Sequence, residues 1–222
     1  MRRPPAVAVM AKVPGAAPVK SRLHGALTPE IATELYRCFL LDRLDALADV
    51  PDIAPVVAFT PPEAERAMAA LAPPGFRLLA QRGDDLGARL TGVVDALLDD
   101  GHAAVVATDA DSPTLPMAYI ERAAVTLAAG ETDVVIGPSD DGGYYLVGVR
   151  RRCAGLFDGI PWSTAQTRTA PLARAQALGL SVSLLPPWFD VDTAEDLARL
   201  RAELAGRTTP TRTARFVSTL AC

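Results

Sequence analysis

Cysteine, histidine and aromatic side chains are scarce in this chain, and their scarcity excludes several kinds of site. The cysteines are Cys38, Cys153 and Cys222, an odd number without any Cys-x-x-Cys spacing, which argues against a disulfide framework and a zinc knuckle. The two histidines, His24 and His102, have no partner at metal-ligand spacing, so we assign them no catalytic role. No Gly-x-Ser-x-Gly elbow occurs either, and serine-hydrolase chemistry is therefore not expected.

Long apolar runs and an excess of positive charge are also missing. Half of the residues are apolar, but no run approaches the roughly 18 residues that a membrane span needs. The apolar run at residues 6–11 is too short for the hydrophobic region of a signal peptide. The net charge of −4 predicts no nucleic-acid surface. We expect a soluble, cytoplasmic protein that binds neither membrane nor nucleic acid.

The sequence does contain a regular alternation of apolar strands and amphipathic helices. Apolar runs rich in β-branched residues, which are typical of buried strands, occur at residues 6–11, 56–59, 77–80, 103–107, 134–137, 144–149 and 182–185. The segments between most of them have helical periodicity. This order predicts an α/β fold with three αβα layers around a mostly parallel sheet, which binds ligands beyond the carboxyl ends of its strands.

The length of the chain and its scattered prolines predict one domain, residues 1–205. A basic, threonine-rich tail at residues 206–222 is expected to follow it along the surface. Two helix starts are marked by capping residues: Thr28 precedes Pro29, and Thr193 precedes an acid at the third helical position.

The loop after the first predicted strand is rich in small residues and cations. Small residues such as Ala11 and Gly15 allow backbone N–H groups to approach phosphate oxygens. Lys12, Lys20 and Arg22 add positive charge, and arginine can bind two oxygens at once. The loop is neither a Walker A loop nor a Gly-x-Gly-x-x-Gly fingerprint. We interpret it as a phosphate-binding loop, with solvated surface charges as the alternative.

A second polar loop, residues 81–89, links a predicted strand to an amphipathic helix. We interpret Gln81, Asp85 and Gly87 as residues that hold a nucleotide base near the helix N-terminus. Taken alone, the segment is only a polar loop.

Two pairs of carboxylates follow later strands. Asp109 and Asp111 come at the end of one strand, and Asp190 and Asp192 follow the last one. Such hard oxygen ligands suit Mg²⁺ or Mn²⁺. Because the carboxyl ends of these strands meet at one edge of the sheet, Asp111 and Asp192 are expected to bracket one divalent ion. Helix capping before Pro116 is the competing interpretation of the first pair.

Residues 140–148 combine two carboxylates, two glycines and an apolar strand. Glycine lets the backbone turn or approach a ligand closely, so we interpret Asp141, Gly142, Gly143 and Tyr144 as the rim of an acceptor pocket. A hairpin turn is the alternative.

A Pro-Trp-Ser-Thr segment supplies two further candidates, Trp162 and Ser163. We predict that they form the far wall of the acceptor pocket, with Trp162 as an apolar lid and Ser163 as a hydrogen-bond donor. Entry into a helix with a buried indole is the alternative.

Taken in order, these segments resemble one family. The motifs are Ala-Lys-x-Pro-Gly, Lys-Ser-Arg-Leu, Gly-Asp-Asp-Leu-Gly-Ala-Arg, Asp-Ser-Pro-Thr-Leu-Pro, Gly-Pro-x-Asp-Asp-Gly-Gly-Tyr-Tyr-Leu-x-Gly, Pro-Trp-Ser-Thr and Asp-Val-Asp-Thr. Over about residues 6–200 the chain resembles the bacterial GT-A-like transferases of the nucleotide-diphospho-sugar transferase superfamily. The resemblance implies a Rossmann-like GT-A sheet and a nucleotide-using transferase.

The motifs Lys-Ser-Arg-Leu and Asp-Val-Asp-Thr also resemble those of phosphoenolpyruvate and phospholactate guanylyltransferases. By this resemblance Asp111 is the metal-binding aspartate, and Asp192 is the second acidic position, with Asp190 as its alternate. Lys20 and Arg22 would face the triphosphate. The chain has Asp-Gly-Gly-Tyr where these enzymes have a Gly-Thr-Gly-Thr-like turn, so their acceptor does not carry over.

Three functions remain open on the sequence alone. The first is Mg²⁺- or Mn²⁺-dependent nucleotidylyl transfer from a nucleoside triphosphate to a small acceptor that bears a phosphate or carboxylate. The second is glycosyl transfer from a nucleotide-diphospho sugar, in which an Asp109-x-Asp111 element holds the metal-diphosphate and Asp141 serves as acceptor base or sugar ligand. The third is a nucleotide-binding module without turnover.

The first function is favoured by the three cations beside the first strand, because a triphosphate carries more charge to neutralise than a diphosphate sugar does. The expected partners are a nucleotide and a small-molecule acceptor. A homodimer is compatible with each function, and the sequence does not set the oligomeric state.

Overall fold

Seven strands form one sheet in the part of the chain that the structure, a computed structural model, describes: residues 2–160, 170–206 and 211–220. They are β1 (Ala6–Lys12), β2 (Ala54–Thr60), β3 (Arg77–Ala80), β4 (Val105–Thr108), β5 (Val134–Pro138), β6 (Tyr144–Val149) and β7 (Val182–Leu184). Their order across the sheet is β3-β2-β1-β4-β6-β5-β7, and β6 alone runs antiparallel to its neighbours. Each strand overlaps an apolar run of the sequence, and the predicted α/β fold with a mostly parallel sheet is confirmed.

Helices alternate with the strands along most of the chain. They are α1 (Pro29–Ala48), α2 (Glu65–Ala69), α3 (Leu86–Asp99), α4 (Met117–Ala129), α5 (Ala170–Ala177), α6 (Ala194–Ala205) and α7 (Arg212–Thr219). Among the described residues, no helix combines the length and the apolar character that crossing a membrane requires.

The central strands are buried on both faces, which explains their uninterrupted apolar sequences. In β1, Val7 and Val9 pack into a core with α1, α2 and α4, whereas Ala6 and Ala8 pack into a second core with α3 and α5. The sheet is therefore the middle of three layers.

A third core lies on the outer side of α1. Phe39 of α1 packs there with Leu197 and Leu200 of α6 and with Val217 of α7. The first turn of α7 is held by Asp42 of α1, whose carboxylate accepts hydrogen bonds from the backbone N–H groups of residues 212 and 213 at 3.0 and 2.8 Å. Part of the predicted tail is thus a helix that packs against α1.

Both helix starts predicted from capping residues are present. The Thr28 hydroxyl accepts a hydrogen bond from the Ile31 N–H at the start of α1, where Pro29 is the first helical residue. At the start of α6, Thr193 and Asp196 form a reciprocal capping box. These side chains satisfy N–H groups that have no partner within the helix.

A tight turn at residues 139–143 joins β5 to β6 and makes this pair antiparallel, because a parallel pair would need a long crossover. Ser139 and Gly143 close the turn through an N–H to carbonyl hydrogen bond of 3.0 Å, and Gly142 takes the left-handed backbone conformation at φ +97°. The hairpin interpretation of this segment is therefore correct. The turn lies at the same edge of the sheet as the carboxyl ends of β1, β4 and β7.

Candidate active site

Lys20 stands at the centre of the site, between two carboxylates from distant parts of the chain. Its ammonium lies 2.5 Å from Asp111 Oδ1, in the loop after β4, and 2.9 Å from Asp192 Oδ1, in the loop after β7. Sequence analysis predicted that Asp111 and Asp192 would meet, and the structure brings them onto one ammonium. The two acid-bearing loops are also joined directly by a hydrogen bond from the Val191 N–H to the Asp111 carbonyl at 3.0 Å.

The Lys20 side chain is almost completely buried, with 2% of its surface exposed. Burial by itself would lower the pKa of Lys20, but the carboxylates of Asp111 and Asp192 outweigh it and raise the pKa above the ordinary lysine value. The ammonium also lies 5.8 Å from the centre of the Phe39 ring. The lysine is therefore charged and held from several sides.

The backbone at Lys20 is left-handed, with φ 50° and ψ 38°. For a residue other than glycine this conformation costs about 1–2 kcal/mol. Strained backbone of this kind persists where the surrounding contacts enforce it, and it concentrates at functional sites. At Lys20 this backbone occurs together with two ion pairs of the side chain.

Arg22 lies two residues after Lys20, in a short 3-10 helix (Ser21–Leu23), and is far more exposed. Its guanidinium is 3.4 Å from Asp192 Oδ2, and 58% of its side chain is exposed. It can therefore meet an anion from solvent, which the buried Lys20 ammonium cannot do in this conformation.

The remaining predicted residues of the first loop lie near the end of β1. The Lys12 N–H donates to the Tyr36 hydroxyl at 3.0 Å, and its exposed ammonium donates to the Pro18 carbonyl at 3.3 Å. Ala11 is buried as part of β1, and Gly15 turns the loop with φ +82°. Backbone groups and the Lys12 ammonium therefore lie at the carboxyl end of β1.

Asp109 lies near Asp111, one member of the acid pair (Asp111 and Asp192) that shares the Lys20 ammonium. The Ser112 hydroxyl donates to its Oδ2 at 3.0 Å, while its Oδ1 is buried without a hydrogen-bond partner in the described part of the chain. Burial, followed by the repulsion of Asp111, raises the pKa of Asp109 to about 7, although Arg43 acts in the opposite direction. An orphaned buried carboxylate oxygen is rare in proteins and marks a site that needs a cation or proton.

Asp190 and Asp192 contact different groups. The Ser139 hydroxyl donates to Asp190 Oδ1 at 2.9 Å, which ties the last loop to the β5–β6 turn. Burial first, and then the nearby carboxylates of Asp141 and Asp192, raise the pKa of Asp190 to about 6. Asp192, and not Asp190, therefore pairs with the Lys20 ammonium, which also pairs with Asp111.

The predicted acceptor rim lies on the β5–β6 turn. Asp141 is exposed, and its Oδ1 accepts a hydrogen bond from the Gly143 N–H at 2.8 Å. The neighbouring Asp140 pairs with Arg199 of α6 at 2.8 Å, and the Arg199 guanidinium stacks on Phe189 at 3.9 Å. This contact joins the turn to the loop that carries Asp190 and Asp192.

The two tyrosines after the turn point to opposite faces of the sheet. Tyr145 is completely buried, and its hydroxyl donates to the Pro186 carbonyl at 2.8 Å. Tyr144, the predicted acceptor residue, is half-buried and packs against the core formed by α3 and α5. Trp162 and Ser163, the other predicted acceptor residues, lie outside the described residues.

The loop after β3 uses its predicted nucleotide residues in local contacts. The Gln81 amide is buried and donates to the Ala58 carbonyl at 2.6 Å. Asp85 caps α3 by accepting from the Ala88 N–H at 2.8 Å, and Gly87 is buried in the first turn of that helix. None of these contacts involves Asp111 or Asp192. The loop after β3 therefore lies at the same edge of the sheet but apart from these two acids.

Sequence analysis missed the contribution of α1. Tyr36, Phe39 and Arg43 follow helical spacing along this helix and contact Lys12, Lys20 and Ser112 in turn. The signal that could have identified Arg43 was its place in the apolar stripe of the helix, with Phe39 and Leu47 four residues to either side.

Arg43 supports the loop that carries the first acid pair. Arg43 is 5% exposed, and its guanidinium donates to the Ser112 carbonyl at 2.5 Å, while its Nε has no partner in the described part of the chain. Burial lowers the pKa of Arg43, and the nearby Asp109 acts against this effect. A positive charge is therefore buried beneath Asp109.

The donor set has the chemistry of a divalent-cation site. Across residues 2–160, 170–206 and 211–220, no three histidine, cysteine, aspartate or glutamate side chains are already arranged around a common metal position. Magnesium, however, takes only one or two protein carboxylates and completes its shell with water and phosphate oxygens. The half-exposed Asp111 and Asp192 fit this requirement.

Comparisons with known proteins agree with this architecture. Residues 43–164 match the family model described as Uncharacterized protein conserved in bacteria (DUF2064). A crystal structure from Desulfovibrio desulfuricans G20, of a protein assigned as a nucleotide-diphospho-sugar transferase, is 30% identical. It has a TM-score of 0.89, with 96% of this chain and 94% of that chain covered. No curated protein matches the chain at a significant level.

More distant structures share the fold. CMP:2-keto-3-deoxy-manno-octonic acid synthetase complexed with CTP has a TM-score of 0.60 at 15% identity, covering 91% of this chain and 98% of that one. The 4-diphosphocytidyl-2C-methyl-D-erythritol synthase of Anaerococcus prevotii DSM 20548 has a TM-score of 0.58 at 12% identity, covering 90% and 96%. The chain therefore belongs to the DUF2064 family and is a transferase of the GT-A-like nucleotide-diphospho-sugar transferase superfamily.

Proposed function

We propose that this protein is a Mg²⁺-dependent nucleotidylyltransferase. An acceptor oxygen, from a phosphate or carboxylate, attacks the α-phosphorus of a nucleoside triphosphate; the bond to the β-phosphate oxygen breaks, and pyrophosphate leaves. Such an acceptor is already ionised at neutral pH, so the step requires no general base. Catalysis then rests on positioning and on charge stabilisation.

The observation that carries the proposal is the meeting of Asp111, Asp192, Lys20 and Arg22 at the carboxyl edge of the sheet. Two half-exposed carboxylates beside the exposed Arg22 guanidinium suit a metal-bound polyphosphate. A divalent ion held by Asp111 and Asp192 would neutralise phosphate charge and make the α-phosphorus more electrophilic. Mn²⁺ would serve in place of Mg²⁺.

Each surrounding residue has a role in this reaction. The exposed Arg22 guanidinium stabilises the negative charge of the departing pyrophosphate. The loop from Lys12 to Gly15 lies along the phosphates, and Gln81 with the loop after β3 borders the base. Asp141, on the exposed turn across the site, orients the acceptor.

A second function is favoured by one sequence element and one relative. Asp109 and Asp111 form an Asp-x-Asp element, and the 30% identical structure is assigned as a nucleotide-diphospho-sugar transferase. In that case the donor is a nucleotide-diphospho sugar, and Asp141 contacts the acceptor or the sugar. The buried Oδ1 atom of Asp109 favours the first function, because Asp111 is then the member of this element that is open to a ligand.

Calorimetric titration with each nucleoside triphosphate and each common nucleotide-diphospho sugar, in the presence of Mg²⁺, tests the proposal. Preferential, Mg²⁺-dependent binding of one triphosphate is expected, and Asp111→Asn should abolish the Mg²⁺ dependence. Asp52→Asn is the matched control, because Asp52 is an exposed aspartate just before β2, at the opposite edge of the sheet. Preference for a sugar nucleotide would instead select glycosyl transfer.

A further inference from the structure

Lys20 is much more buried than the two acids with which it pairs. Asp111 and Asp192 have 39% and 33% of their side-chain surface exposed, against 2% for Lys20. The ammonium thus lies behind the two carboxylates, on the side of the protein interior. A ligand that arrives from solvent meets the acids and the exposed Arg22 before it meets Lys20.

The contacts of Lys20 also fix it in place. Its ammonium shares the Oδ1 atoms of both acids, and the Phe39 ring lies 5.8 Å away. Moving the ammonium outward to a phosphate would break two close ion pairs and leave two carboxylates without their common counter-charge. Repulsion between the acids would then push them apart.

We propose that Lys20 is a positioning residue that holds Asp111 and Asp192 together from behind and so preorganises them for a divalent cation. Arg22, and not Lys20, contacts the phosphates. The inference rests on the proposed function for the identity of the ligands, but the geometry that supports it is independent of the reaction. Groups that orient metal ligands from the second shell typically affect metal affinity by about 10- to 100-fold.

The test separates the two cations by measuring metal and nucleotide binding independently. Mn²⁺ alone is titrated into the wild type, Lys20→Met, Lys20→Arg and Arg22→Met, and the nucleotide that binds best is titrated afterwards at saturating Mn²⁺. Lys20→Met should weaken binding of Mn²⁺ alone by at least about tenfold, the range typical of second-shell changes. Lys20→Arg, which keeps the charge, should recover part of that affinity.

The comparison variants should bind Mn²⁺ alone almost as tightly as the wild type does. Arg22→Met should leave the affinity for Mn²⁺ alone within about twofold of wild type and weaken nucleotide binding by about tenfold, the loss expected for one charge-assisted contact. Arg37→Met removes an exposed positive charge from α1, where Arg37 pairs with Glu34 and contacts neither acid, and it should leave Mn²⁺ affinity unchanged. If Lys20→Met does not fold, Lys20→Gln and a thermal melt of each variant with and without Mn²⁺ provide the same comparison.

Several results overturn the inference. Affinity for Mn²⁺ at or above the wild-type value in Lys20→Met, together with a nucleotide-binding defect in that variant as large as the one expected for Arg22→Met, would show that Lys20 contacts phosphate directly. Absence of Mn²⁺ binding to the wild type would remove the positioning role together with the metal site. Intact Mn²⁺ binding with no nucleotide binding would instead contradict the proposed function and leave the role of Lys20 toward the acids standing.

Discussion

Asp190 and Asp192 are separated by one residue, but their carboxylates bind on different sides of the site. Asp192 Oδ1 accepts from Lys20 at 2.9 Å, whereas Asp190 Oδ1 accepts from the Ser139 hydroxyl at 2.9 Å. This difference in partners connects Asp192 to the loop after β1 and Asp190 to the β5–β6 turn. It distinguishes the two acids, which sequence motifs alone could not do.

The first prediction concerns this pair of acids. Asp192→Asn should lower turnover by about 100-fold or more, in the range seen when a group that stabilises transition-state charge is removed. Asp190→Asn should lower it far less, because an asparagine oxygen still accepts from Ser139. Steady-state kinetics at saturating Mg²⁺, with thermal melts to confirm folding, provide the comparison. Equal losses in the two variants would show that both acids contact the reacting groups.

The second prediction concerns Arg43, which supports the loop of the first acid pair. Arg43→Met keeps most of the buried volume but removes the bond to the Ser112 carbonyl and the positive charge beneath Asp109. Turnover should fall by about 10- to 100-fold, as it does when a second-shell partner is lost. Arg43→Lys should be less impaired, since it keeps the charge.

The matched control for Arg43 is Arg37→Met on the same helix. Arg37 is 43% exposed and pairs with Glu34 at 3.1 Å, so its loss should change stability by less than about 0.5 kcal/mol and leave turnover unaffected. If Arg43→Met were as active as this control, Arg43 would serve packing alone.

The third prediction concerns the pH dependence of stability. Hydrogen bonds from Arg151 above all, with those from Ser181 and Arg150, hold the pKa of Asp133 well below its ordinary range against the effect of burial. Because the folded pKa is lower than the unfolded value of about 4, this carboxylate stabilises the fold fully above that pH. The contribution is lost as the pH falls below about 4 toward the folded pKa.

Asp133→Asn should therefore lower the free energy of unfolding by about 2 kcal/mol at pH 7, a typical value for hydrogen bonds to a charged group. The difference from wild type should shrink at pH 3. Urea denaturation at both pH values measures it, with the exposed Asp52→Asn as control. A difference that is independent of pH would contradict the assignment.

The fourth prediction concerns Gly137 of β5, which Tyr145 of β6 crosses. A Cβ at this position would overlap the Tyr145 ring, so Gly137→Ala should destabilise the fold by about 2–3 kcal/mol through overpacking. Gly25→Ala is the control, because a Cβ at Gly25 meets no atom within 4 Å. Denaturant unfolding of the two variants should differ clearly, and equal stability would mean that Tyr145 moves aside at little cost.

The fold was predictable because its signals are local. A strand that is buried on both faces has a continuous apolar sequence, as β1 and β4 do. Helix starts are marked by capping residues such as Thr28 and Thr193. The expected meeting of Asp111 and Asp192 followed from the rule that ligands lie beyond the carboxyl ends of parallel strands.

The details of the site depend on contacts that no local pattern records. Lys20 and Asp192 are 172 residues apart, and Lys20 has a left-handed backbone although it is not a glycine. Sequence analysis accordingly treated Lys20 and Arg22 as equivalent cations, although one is buried behind the carboxylates and the other is open. Asp85 was likewise interpreted only as a nucleotide-binding residue, whereas the structure shows that its side chain caps α3.

The central claim of this account is transfer of a nucleotidylyl group, and the identity of the released product tests it most directly. The purified protein would be incubated with Mg²⁺, each nucleoside triphosphate and a panel of phosphorylated and carboxylated small molecules, and in parallel with nucleotide-diphospho sugars and the same acceptors. The account predicts pyrophosphate release from one triphosphate, in equal amount to a nucleotidylated acceptor, and its loss in Asp111→Asn. Release of a nucleoside diphosphate from a sugar nucleotide, without pyrophosphate from any triphosphate, would contradict it.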